Sequence, residues 1–135
     1  ALKYAAEPED RDQAGYMQAD VLRRTGDMET AARAAEEIMS TEGPLTAGKL
    51  RAGFLQAEIR RAEGDTGAAR EIYRDIMRRI AGAGTLRDVQ LCDFYRQAAL
   101  NLVQMLRESG RREEADVVAE EAKKHLSQFR EAKAP

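Results

Sequence analysis

The chain has 135 residues and carries one histidine, His125, and one cysteine, Cys92. A thiolate activated by an imidazole is the chemistry such a pair supplies. It requires the two side chains within hydrogen-bond reach and a third group to orient the base. Nothing in the sequence joins them, unless the fold brings the fifth and sixth helical segments together there. Cys92 stands near Val89 and Phe94, the setting of a small buried hydrophobe. His125 stands among Lys123, Lys124 and Leu126 on a charged segment and is expected in solvent. The acidic pairs Glu36-Glu37, Glu113-Glu114 and Glu120-Glu121 are adjacent in helical stretches. Neighbours in a helix diverge by about 100° and do not converge on one ion. Ala81-Gly82-Ala83-Gly84 lacks the lysine and serine or threonine of a phosphate-binding loop and reads as a connector. The expectation is a non-enzyme with no metal and no cofactor.

Arginine pairs recur at Arg23-Arg24, Arg60-Arg61, Arg78-Arg79 and Arg111-Arg112. They suit nucleic-acid contact, but three of the four fall in the last turn of a helical stretch, where a cation complements the helix dipole. The chain has 22 basic and 24 acidic residues, for a net charge of −2. With no basic excess, the expectation is no nucleic-acid partner. No apolar run approaches the ~20 residues that span a bilayer, so no membrane insertion is expected. A single cysteine allows no internal disulfide framework, and the compartment leans to the cytoplasm.

The elements that position these residues are helices. Alanine, leucine, glutamate and arginine abound, and aromatics make up only 5%. All three prolines, Pro8, Pro44 and Pro135, are expected outside the periodic segments. Gly26-Asp27, Gly64-Asp65 and Gly110-Arg111 interrupt amphipathic stretches as helix–turn–helix junctions: glycine ends one helix and aspartate caps the next. Arg111 lacks the carboxylate, so the third turn is the weakest match. Thr46 is a candidate cap, and Thr85 with Asp88 resembles a capping box. Six helices follow, in hairpins over about 10–40, 46–80 and 86–133. The fifth, from Leu86 to Ser109, is about two turns longer than a standard repeat helix, and its excess, Leu86 to Phe94, could cover the open end of a neighbouring hairpin or, through Val89, Leu91 and Phe94, pair two chains.

Aligned on the turn glycines, small residues recur five positions after (Ala31, Ala69, Ala115) and seven before (Ala19, Ala57, Val103). With the Gly-Asp turns, these positions resemble the tetratricopeptide repeat family, over roughly Asp10 to Leu126. Departures are the spacings of 38 and 46 residues between the glycines and the missing tryptophan and closing prolines. Residues 1–8 look like the tail of a preceding repeat, with Pro8 in the closing position. The resemblance implies an all-α, right-handed α-solenoid of three antiparallel hairpins.

The resemblance also implies a concave groove lined by the first helix of each hairpin. Three residues before each glycine stand Arg23, Arg61 and Arg107; six before, Asp20, Glu58 and Gln104; ten before, Tyr16, Phe54 and Leu100; thirteen before, Gln13, Arg51 and Gln97. Stacked in register, these form arginine, acidic or amide, apolar and polar rows, with Asn101 beside them. Such a surface would bind a protein or peptide with acidic and apolar side chains, since guanidinium pairs bidentately with carboxylate. A second reading has Asp20–Arg23 and Glu58–Arg61 as surface pairs and Tyr16, Phe54 and Leu100 as core. The family's carboxylate clamp is not matched, because the corresponding places hold Tyr16, Asp20, Leu55, Gln97 and Asn101. The function expected is a non-catalytic protein–protein interaction module. The alternatives are a homodimerising module and a helical regulatory domain of a larger protein.

Overall fold

A computed structural model describes residues 7–83 and 88–133, with side chains described as far as Gln128. The described residues form an all-α structure of six helices: α1 (Pro8–Arg24), α2 (Met28–Ser40), α3 (Ala47–Ala62), α4 (Thr66–Gly82), α5 (Val89–Glu108) and α6 (Arg112–Lys133). None of them is long and apolar enough to cross a membrane.

Two boundaries differ from expectation. Pro8 lies inside α1, at its first turn. Its missing N–H would have been unsatisfied there anyway, and its fixed φ suits a helix start. Of the expected tail over residues 1–8, residues 1–6 lie outside the described residues. The fifth helix begins at Val89, not Leu86: Asp88 is extended, and its carboxylate accepts the Leu91 N–H at 3.2 Å as the N-cap. Thr85 and Leu86 lie outside the described residues.

All three glycine turns close in the same way. Gly26, Gly64 and Gly110 take φ values of 92°, 89° and 76°, a left-handed conformation that only glycine adopts cheaply. Each glycine N–H bonds the carbonyl three residues back, on Arg23, Arg61 or Arg107, at 3.0 Å. The following N–H bonds the carbonyl five residues before it, on Leu22, Arg60 or Leu106. This double bond pattern satisfies carbonyls the helix end would otherwise orphan. The third turn matches the others, because it uses the backbone N–H of Arg111 and is indifferent to its side chain. Asp27 then caps α2 by accepting the Thr30 N–H.

The chain divides at Asp65 into two compact units. In the first, α1, α2 and α3 pack on one another. Ala19, Ala31, Ala32, Ala35 and Ala57 are fully buried, and Met39, Leu50, Leu55 and Ile59 fill the space around them. Small residues let the helix axes approach. They approach closely at Gly48, where an added Cβ would lie 2.5 Å from the Asp12 carbonyl carbon. The Asp12 carboxylate is buried beside this crossing and accepts the Thr46 hydroxyl at 2.7 Å. The same Thr46 oxygen accepts the Lys49 N–H as the cap of α3. Lys49 is also buried, and its ammonium donates to the Pro44 carbonyl at 2.9 Å.

In the second unit α5 packs against both α4 and α6. Tyr73, Ile76 and Ile80 of α4, Leu91, Tyr95, Leu102 and Leu106 of α5, and Ala115, Val118 and Ala122 of α6 are buried. Fully burying each large apolar side chain is worth ~1.5–3 kcal/mol. The inward stripe of α6 runs through the buried Val118 and Ala122, with Leu126 half-buried; Phe129 lies outside the described side chains. Arg74 donates to Glu114 and Arg70 to the Ser109 hydroxyl, tying α4 to the start of α6 and the turn before it.

Candidate functional site: the outer face of α1 and α3, and a cleft beside α5

Because α1 and α3 end in the same turn, residues at equal distance from their glycines stand at matching positions along the two helices. The Arg51 guanidinium donates to the Gln13 amide oxygen at 2.6 Å, so the positions thirteen residues before Gly26 and Gly64 form a physical rung. One helical turn towards the glycines, Tyr16 and Phe54 are both half-buried. Beyond them a charged rung closes the face. Arg23 donates to Asp20 at 2.8 Å on its own helix and to Glu58 at 3.0 Å on α3. Asp20 also receives Arg24 at 3.0 Å. The first unit therefore brings together Tyr16, Asp20, Arg23, Arg51, Phe54 and Glu58, two aromatics framed by two polar rungs. Arg61 stands half-buried in the last turn of α3.

Arg23 already holds two carboxylates, and one of them is loosely kept: the Glu58 side chain is 58% exposed, against 14% for Asp20. Beside this face, Arg60 bridges Glu63 at 3.0 Å and Glu29 at 3.5 Å. Its guanidinium is raised above its ordinary value, chiefly by the hydrogen bond to Glu63, with partial desolvation opposing and the charges of Glu63 and Glu29 adding.

The corresponding residues of α5 belong to the second unit. Gln97 donates to Asn101 at 2.9 Å and Gln104 to Glu108 at 3.0 Å, while Arg107 lies 4.0 Å from Asp116. Leu100 is 58% exposed, which removes the core reading for that position.

A second candidate was not anticipated. In the second unit a cleft of about 220 Å³ is walled by Met77 and Ala81 of α4, Leu102 of α5 and Val118 of α6, with Tyr95 and His125 also lining it. Arg74, Arg78 and Glu121 supply its charges. His125 is not solvated as expected: it is half-buried, with its ring edge-on to Tyr95 at a centroid distance of 5.6 Å. Cys92 is half-buried too, more open than the buried hydrophobe expected. Burial pushes the Tyr95 phenol up to about 12, with the charge of Glu121 adding. The signal for His125 was its spacing, seven residues after Val118 and three after Ala122, which continues the inward stripe of α6. Tyr95 has no counterpart in the glycine alignment. The cleft offers apolar walls together with two guanidinium groups and a carboxylate. Among the described residues no group of three or more His, Cys, Asp or Glu is placed to hold a metal.

Compared with known proteins, the chain matches no family model, no curated protein and no solved structure.

Proposed function

We propose that the chain is a tetratricopeptide-like helical module that binds a protein partner without catalysing a reaction, and that the outer face of α1 and α3 is where it binds. The observation that carries this reading is the register of the two helices: the Gln13–Arg51 and Arg23–Glu58 rungs frame Tyr16 and Phe54. An extended peptide laid across the helices meets two half-buried aromatic surfaces for an apolar side chain. It meets guanidinium groups at both ends for carboxylates. Aromatic and arginine side chains are also what protein-binding surfaces concentrate. Glu58 fills the place of a ligand carboxylate on Arg23, and its exposure lets it be displaced.

The test is selection of a displayed random peptide library on the purified protein. The reading expects an enriched family that pairs an acidic residue with an aromatic or aliphatic one and is lost on Arg23→Ala with Arg51→Ala. Failure to enrich any family, or a family retained by the double variant, would count against it.

A further inference from the structure

Met17 and Val21 stand nine and five residues before Gly26; Leu55 and Ile59 stand at the same distances before Gly64. The offset, the apolar type and the turn are shared, yet burial is opposite. Leu55 and Ile59 are each 3% exposed, whereas Met17 and Val21 are 57% and 58% exposed. A shallow depression around them is lined by Met17, Gln18, Val21 and Leu22. The other exposed large hydrophobics, Met28, Val89, Leu100 and Val117, each lack a second one a turn away among the described residues. The segment expected to pair two chains is unsuited, because Leu91 is buried and Phe94 half-buried.

The open patch belongs to a longer stripe. Asp10, Ala14, Met17, Val21 and Arg24 follow one another at intervals of four, three, four and three residues, and all five are exposed. That spacing is the seam of a helix that packs against another helix along its length. The stripe is apolar in the middle and charged at its ends, negative at Asp10 and positive at Arg24. Arg24 keeps a bond to Asp20, but its side chain is 74% exposed and free to reach outward.

These ends decide what fits. Two copies of α1 laid antiparallel about a twofold axis at Met17 set Asp10 of each copy against Arg24 of the other, with Ala14 facing Val21. Laid parallel, they would oppose like charges at both ends. An isologous pairing repeats each favourable contact twice. We propose that the chain self-associates as a homodimer through antiparallel pairing of α1, with Met17 at the twofold axis. This surface is a different stripe of α1 from the one carrying Tyr16, Asp20 and Arg23, so it stands independently of the peptide-binding reading.

The test is sedimentation equilibrium of the whole chain from about 10 µM to about 1 mM, the span that covers weak, small interfaces. Dimerisation is expected in the wild type and loss of it in Val21→Glu, with the melting temperature of that exposed site little changed. Asp10→Arg and Arg24→Asp should each weaken association several-fold, and the double swap should restore it. In a Cys92→Ser background, Met17→Cys should form a disulfide-linked dimer under oxidation and Ala14→Cys should not, since only the axial residue meets its own copy. A wild type that stays monomeric across the range would overturn the proposal, as would a dimer indifferent to Val21→Glu. Single charge swaps without effect would overturn the antiparallel arrangement, and with it the assignment of Met17 to the axis.

Discussion

The Arg51 guanidinium donates to the Gln13 amide oxygen at 2.6 Å, and each of the two residues stands thirteen positions before a turn glycine. That bond measures the register of α1 against α3. It means that side chains at equal offset are neighbours in space, and that the Tyr16–Phe54 pair and the Arg23–Glu58 rung belong to one surface.

Glu58→Gln removes the carboxylate that holds one nitrogen of Arg23. Exposed ion pairs are worth ~0.2–1 kcal/mol, so a peptide carboxylate that replaces Glu58 should bind roughly 1.5- to 5-fold tighter to this variant. Fluorescence anisotropy with a selected acidic peptide measures it. Weaker binding would mean that Glu58 contributes to recognition and does not compete with the ligand.

Gly48→Ala places a methyl 2.5 Å from both the Asp12 carbonyl carbon and the Gln13 nitrogen. These are backbone atoms, so relief requires α1 and α3 to move apart. The cost should be ~1–3 kcal/mol, as for other overpacked sites. Urea denaturation should show a lowered midpoint with an unchanged slope. An unchanged midpoint would show that the helices do not cross there.

Thr46→Val removes the cap of α3 and the hydroxyl that satisfies the buried Asp12 carboxylate. Together these should lower stability by ~1–3 kcal/mol, and Thr46→Ser should retain most of it. The same denaturation experiment compares the two. A Thr46→Val variant as stable as the wild type, or a Thr46→Ser variant as damaged as Thr46→Val, would contradict the assignment of this stability to the hydroxyl's hydrogen bonds.

The Tyr95 phenol is raised to about 12 in the folded chain, against about 10 for an ordinary tyrosine. Folding therefore favours the protonated form. Its contribution is complete below the unfolded value and is lost as pH rises towards the folded one, where the native state binds more protons than the unfolded state. By linkage the loss is at most about 2–3 kcal/mol. Tyrosinate absorbance as a function of pH, wild type minus Tyr95→Phe, should show one late-titrating phenol. A difference curve centred near 10 would contradict the burial.

What the sequence made legible was what local geometry demands. A glycine followed by aspartate announced the turns at Gly26 and Gly64 because the left-handed conformation excludes other residues. Equal offsets from those glycines anticipated the Gln13–Arg51 rung. The failures have the same root: properties set by neighbours are not written in a single segment. Val21 and Ile59 read alike, yet one is open and the other closed, because burial depends on what packs from outside. His125 looked solvated beside two lysines, but the rotation of α6 turns it onto Tyr95. Thr85 with Asp88 resembles a capping box that starts the helix at Leu86, whereas the extended backbone at Asp88 makes Asp88 itself the cap of α5.

The central claim is that the outer face of α1 and α3 is the recognition surface. Backbone amide shifts of the labelled protein, followed while a selected peptide is titrated in, test it most directly. The largest perturbations should fall at Gln13, Tyr16, Asp20 and Arg23 on α1 and at Arg51, Phe54 and Glu58 on α3. Perturbations concentrated instead around Tyr95, Glu121 and His125, with the α1 and α3 amides unmoved, would contradict the claim and assign recognition to the cleft beside α5.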